Sequence, residues 1–135
     1  MLMLPSLAAL DQSLAVGVYL CTAPTDMRKG FDSLAALVTE HLGCDPLSGD
    51  LFLFISRGRD RIKGLLWQAD GFAIWYKRLE EGTYRLPAHA VGQTCVTLKA
   101  SELAMLLDGI DLRSVRRVPR YRRKPTPASP NKKVV

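Results

Sequence analysis

Phosphoryl and strand-transfer chemistry on nucleic acid needs two or three carboxylates converging on Mg²⁺, and the acids of this 135-residue chain come singly. Asp26, Asp32, Asp45, Asp50, Asp60 and Asp70 stand mostly beside cap and turn signals, where local backbone hydrogen bonding already accounts for them. Two histidines, His41 and His89, and three cysteines, Cys21, Cys44 and Cys95, are scattered without any zinc-ligand spacing. A phosphate-cradling glycine loop and a nucleophile elbow are also missing from the sequence. We therefore expect no catalytic residues, no metal and no cofactor, and His89 reads as an inert loop histidine.

Cations carry the stronger pattern. Arg116, Arg117, Arg120, Arg122, Arg123 and Lys124 surround Tyr121 without an intervening acid, which suits phosphate contacts with one aromatic ring to stack on a base. The competing reading of this segment is a solubilising tail. Ten cations against thirteen acids leave residues 1–111 at about −3, whereas the last 24 residues hold nine cations and no acid. The net charge of +6 thus belongs to a mildly acidic body with a basic tail.

Further cations fall inside the body. Arg57 and Arg59 occupy a hairpin loop, and a hairpin turning at Asp70-Gly71 would bring Lys63 close to Lys77 and Arg78. Arg28 and Lys29 stand in the first turn of an expected helix, where cations oppose the dipole; they either grip phosphate or are solvated and paired with Asp26 and Asp32.

The elements that position these side chains follow from periodicity. Residues 16–22 read as a strand, and Thr25 or Asp26 as the cap of a helix whose apolar stripe is Met27, Phe31, Leu34, Val38 and Leu42, closed by Gly43. Leu51 to Ser56 lacks alternation and reads as a central strand covered on both faces. From Arg61 to Leu86 the pattern is a β-meander with turns at Asp70-Gly71 and Glu81-Gly82; Gly64 marks a bulge or a close approach. A strand at 94–98 precedes a helix carrying Leu103, Leu106, Leu107 and Ile110, with Lys99 at the cap and Glu102 in the first turn.

The expected fold is α+β: a mainly antiparallel sheet of about five strands in the order β-α-β-β-β-β-α, with two principal helices. Residues 1–13 read as a weakly ordered leader, 14–112 as a single domain and 113–135 as a basic, proline-rich, disordered tail. The 47% hydrophobic and 24% charged content is ordinary for a globular protein. Unpaired thiols, no run long enough to span a bilayer and an N-terminus without a basic region point to the cytoplasm and away from a membrane.

Four blocks, PTDMRKGFDSLAALV at 24–38, DPLSGDLFLF at 45–54, GFAIWYKRLEEG at 71–82 and LAMLLDGID at 103–111, together resemble a known family. They are similar to the small accessory protein TnpB encoded by the second reading frame of insertion-sequence sixty-six transposable elements, collinear from about Val16 to Arg123. The resemblance implies a bacterial cytoplasmic protein that assists transposition beside a larger transposase without performing strand transfer. Gln68 stands where the family pattern would place an acid, Lys99 where it would place a hydroxyl cap, and the residues before Asp11 are extra.

Three functions then compete. A DNA-contacting accessory factor would use Arg28, Lys29, Arg57, Arg59, Lys63, Lys77, Arg78 and the tail, mostly on the DNA backbone. An adaptor would instead dock on the transposase through an exposed Trp75 or Tyr76. A metal-dependent nuclease is the third.

Overall fold

The computed structural model describes residues 16–90, 92–108, 110–111 and 116–117. Strands β1 (Val18–Cys21), β2 (Leu51–Ile55), β3 (Arg61–Gln68), β4 (Gly71–Arg78) and β5 (Cys95–Leu98) form one sheet in the order β4-β3-β2-β1-β5. Helix α1 (Phe31–Glu40) links β1 to β2, which run parallel; every other pairing in the sheet is antiparallel. A single 3₁₀ turn (Ala88–Ala90) precedes β5, and α2 (Ala100–Asp108) follows it. The fold is α+β with a five-stranded mixed sheet.

Each face of the sheet is covered, as the unalternating LFLFI of β2 requires. All five β2 residues are buried: Phe52 and Phe54 pack with Leu34 and Val38 of α1, while Leu51, Leu53 and Ile55 pack with Leu103 and Leu106 of α2. Gly64 lies in an uninterrupted register opposite Trp75 and Leu53, so it marks a close approach and not a bulge. A Cβ there would stand 3.2 Å from both Leu51 Cδ1 and Leu53 Cδ2.

Three local expectations change. Helix α1 begins at Gly30 without a side-chain cap, because Asp26 spends its carboxylate on the turn before it, accepting the Arg28 N–H at 2.9 Å. Met27 is consequently buried from that turn, and Phe31, at the helix's first position, is half exposed. The third strand of the expected meander does not form: after β4 the chain leaves the sheet, and Tyr84 is fully buried against the α2 face. The β3–β4 turn sits at Ala69-Asp70 and pairs Lys63 with Tyr76 instead of Arg78. That register sets the Trp75 ring over the missing Gly64 side chain and Trp67 edge-on to Phe72, with ring centres 5.0 Å apart.

Other local readings hold. Gly43, at φ +65, turns the chain two residues past His41, the C-cap of α1, and Cys44 N–H reaches back to the Val38 carbonyl at 3.1 Å. At α2 the Glu102 carboxylate accepts the Lys99 N–H at 2.9 Å, the reciprocal half of a capping box. Two readings do not: Ile110, expected on the second helix, lies beyond its end, and Ile110–Asp111 pairs with Arg116–Arg117 of the expected tail as two short antiparallel strands, β6 and β7. The leader at 1–13 and, apart from Arg116–Arg117, the tail at 113–135 lie outside the described residues. Among the described residues no helix is long and apolar enough to cross a membrane.

Candidate nucleic-acid interface

Strand direction gathers most of the body's cations at one end of the sheet. Because β1 and β2 run parallel and β3 and β4 alternate from them, the ends of β1, β2 and β4 and the start of β3 share that end. Arg57 and Arg59 lie in the β2–β3 loop, Arg61 at the start of β3, Lys77 and Arg78 at the end of β4, and Arg28 and Lys29 between β1 and α1. The Thr25 N–H donates to the Ile55 carbonyl at 2.9 Å, which ties the β1–α1 segment to the end of β2.

Ion pairing divides the group. Arg28 makes a two-pronged contact with Asp26, Nη2 lying 2.7 Å from Oδ2, and the arginine side chain is 91% exposed. That guanidinium holds the Asp26 carboxyl well below the ordinary carboxylate range. Arg78 pairs with Glu80 at 3.0 Å, and Arg61, directly opposite Arg78 in the ladder, leans on Asp60 at 3.8 Å. Lys29, Arg57, Arg59 and Lys77 make no ion pair among the described residues. Three of those four, Arg57, Arg59 and Lys77, are exposed.

Arg59 is held in a particular way. It takes a left-handed conformation at φ +60, its N–H bonds the Ser56 carbonyl at 2.9 Å, and its carbonyl accepts the Tyr84 N–H at 2.7 Å. A cavity of about 290 Å³ opens between Arg59, Thr22, Leu86, Pro87 and Gln93. A second, of about 360 Å³, lies between Lys77, Arg78 and Glu80 on one side and Leu107 and Asp108 on the other. The end of α2 therefore lies beside the β4 cations.

Lys63 departs from its expected place. It is 8% exposed, with its ammonium 2.7 Å from the Lys29 carbonyl and 4.7 Å from the centre of the Tyr76 ring. Lys77 points to the opposite face of the sheet, because the ladder pairs it with Ile62. The three-cation cluster is thus replaced by an internal lysine that braces the turn carrying Arg28 and Lys29. Arg61, which was not among the expected cations, shares this end of the sheet; its place two residues after Arg59 was the available signal. Arg116 and Arg117 belong to β7, while Arg120, Tyr121, Arg122, Arg123 and Lys124 lie outside the described residues.

The remaining chemical groups are accounted for locally. Burial pushes the Cys21 thiol up, as it does Cys95, its neighbour across β1 and β5. No group of three or more histidine, cysteine or carboxylate residues is placed to hold a metal among the described residues. Asp45 and Asp50 accept the N–H groups of Leu47 and Gly17, at 2.9 and 2.8 Å. His89 bonds Glu102 at 2.9 Å.

Comparison with known proteins agrees with the four sequence blocks. The family described as "IS66 Orf2 like protein" matches residues 16–117. Two proteins of Sinorhizobium fredii (strain NBRC 101917 / NGR234) are similar over most of their length. The uncharacterized protein y4hO is 38% identical over 98 residues, covering 73% of this chain and 84% of that protein. The uncharacterized protein y4jC is 32% identical over 102 residues, covering 76% and 86% respectively. No solved structure matches. The chain belongs to the IS66 Orf2-like family, the TnpB accessory proteins of insertion sequences.

Proposed function

We propose that the protein is a non-catalytic accessory factor of insertion-sequence transposition that holds DNA by its backbone. The observation that carries this reading is the collection of Arg57, Arg59 and Lys77 at one end of the sheet, exposed and without ion pairs among the described residues. Leu107 and Asp108, at the end of the helix that precedes the basic segment in sequence, line a cavity with Lys77. Cations of this kind recognise phosphate and not base sequence, so sequence preference is weak and the partner transposase supplies specificity. The reading places the protein in the bacterial cytoplasm.

Duplex binding measured over a salt series tests it. The full chain should bind with a steep log–log salt slope, and each phosphate contact removed in Arg57→Ala, Arg59→Ala or Lys77→Ala should lower that slope by about 0.9. Arg122→Ala with Arg123→Ala should weaken binding to terminal-repeat and scrambled duplexes alike. Salt-independent binding, or none, would sink the proposal.

An adaptor reading is favoured by Tyr76, which is 49% exposed on β4. Trp75 packs into the α2-side core and does not serve as an anchor. Under that reading Tyr76→Ala abolishes co-purification with the transposase and leaves DNA affinity unchanged.

A further inference from the structure

The outer edge of β4 is a row of backbone groups whose phase can be fixed. Ser56 N–H donates to Arg61 O at 2.9 Å, so β3 uses Arg61, Lys63, Leu65 and Trp67 toward β2 and the alternate residues toward β4. Leu79 N–H donates to Asp60 O at 2.7 Å, in step with this. On β4, residues Gly71, Ala73, Trp75 and Lys77 therefore bond β3, and the N–H and C=O groups of Phe72, Ile74, Tyr76 and Arg78 face outward.

Among the described residues this edge lacks the usual protection. From Phe72 to Tyr76 there is no charge, proline or bulge, whereas the opposite edge, β5, is only four residues long. Tyr76 stands 49% exposed beside it, and Phe72 and Ile74 on the same face are only partly buried.

We infer that β4 pairs with β4 of a second copy, antiparallel about a two-fold axis at Ile74, joining two sheets into one. An isologous contact must be self-complementary, and the outward phase of Phe72, Ile74 and Tyr76 limits the choice of register. With Ile74 opposite its symmetry mate, Phe72 faces Tyr76 and Asp70 faces Arg78, twice over by symmetry. Sliding two residues in one direction sets Asp70 against Glu80; sliding in the other sets it against Tyr76 and loses the ion pair. Charge thus selects the Ile74-centred register. On the other face Ala73 opposes Trp75, small against large. Since the paired strands are antiparallel, the two basic ends lie at opposite ends of the joined sheet. The dimer does not depend on the DNA-binding reading.

Sedimentation equilibrium of the full chain over a concentration series, without DNA, tests the pairing. The unsubstituted protein should sediment as a two-chain species. Asp70→Arg, and separately Arg78→Asp, should each raise the dimer dissociation constant about tenfold, since each sets like charges opposite one another in two symmetric copies. The two substitutions together should restore it. Ile74→Pro removes an outward N–H while sparing the β3 ladder, and should give a single-chain species with an unchanged circular dichroism spectrum. A protein that is monomeric throughout overturns the inference and leaves the edge to another partner, the transposase included. A dimer indifferent to the charge exchange and to Ile74→Pro overturns it equally, because the contact would then lie elsewhere.

Discussion

The Lys63 ammonium donates to the Lys29 carbonyl at 2.7 Å, joining β3 to the turn that opens α1. A buried cation with that contact, and with the Tyr76 ring 4.7 Å away, is placed to brace the turn that carries Arg28 and Lys29. Lys63→Met keeps the stem and removes the donor. It should lower stability in urea by about 1–3 kcal/mol, the cost of leaving a partly buried acceptor unpaired. The salt slope of DNA binding should stay as it was, in contrast to Arg59→Ala. A reduced slope in folded Lys63→Met protein would return Lys63 to the interface.

Gly64→Ala should be destabilising, although alanine suits a strand better than glycine does. The added methyl would press on Leu51 and Leu53, which are 1% and 0% exposed and enclosed by the α2-side core. Overpacking of this kind costs about 1–3 kcal/mol, and a fall in the urea midpoint at constant m-value is the expected result. An unchanged or raised midpoint would mean that the two leucines yield.

Ala69→Gly should act in the opposite direction. Ala69 takes φ +55 at the β3–β4 turn, a conformation that an L-residue with a Cβ resists and glycine does not. Relief of that strain, less the added freedom of the unfolded chain, should raise stability by up to about 1 kcal/mol. Thermal unfolding of the two proteins under one buffer condition measures the difference.

The same turn shows where the sequence was legible and where it was not. Asp70-Gly71 announced a hairpin correctly, but the register was decided across the strands, by Trp67 against Phe72 and by Trp75 over Gly64, and these moved Lys63 two residues away from its expected partner. The five apolar residues of β2 revealed a doubly covered strand because burial on both faces removes alternation. Residues 83–86 gave a false strand signal. Their aromatic and apolar character is spent on the core through Tyr84, while the Tyr84 N–H finds the Arg59 carbonyl in place of a ladder partner. The basic end was only half legible, since loop cations can be counted along the chain but their convergence depends on strand order.

At α2, acid should act through one carboxylate. The Lys99 N–H holds the Glu102 carboxyl below its usual range, with His89 adding to the effect. A carboxyl depressed in the folded state contributes stability that is complete above the unfolded value, about 4.3, and is lost as pH falls through the lower folded value. Glu102→Gln keeps an acceptor for the Lys99 N–H but removes the charge that favours the helix start. The wild-type advantage over Glu102→Gln should therefore be about 0.5–1 kcal/mol near neutrality, constant down to roughly pH 5 and shrinking below about pH 4. Urea titrations of both proteins at several pH values measure it; a gap that persists undiminished at pH 2.5 would show that the cap does not depend on the Glu102 charge.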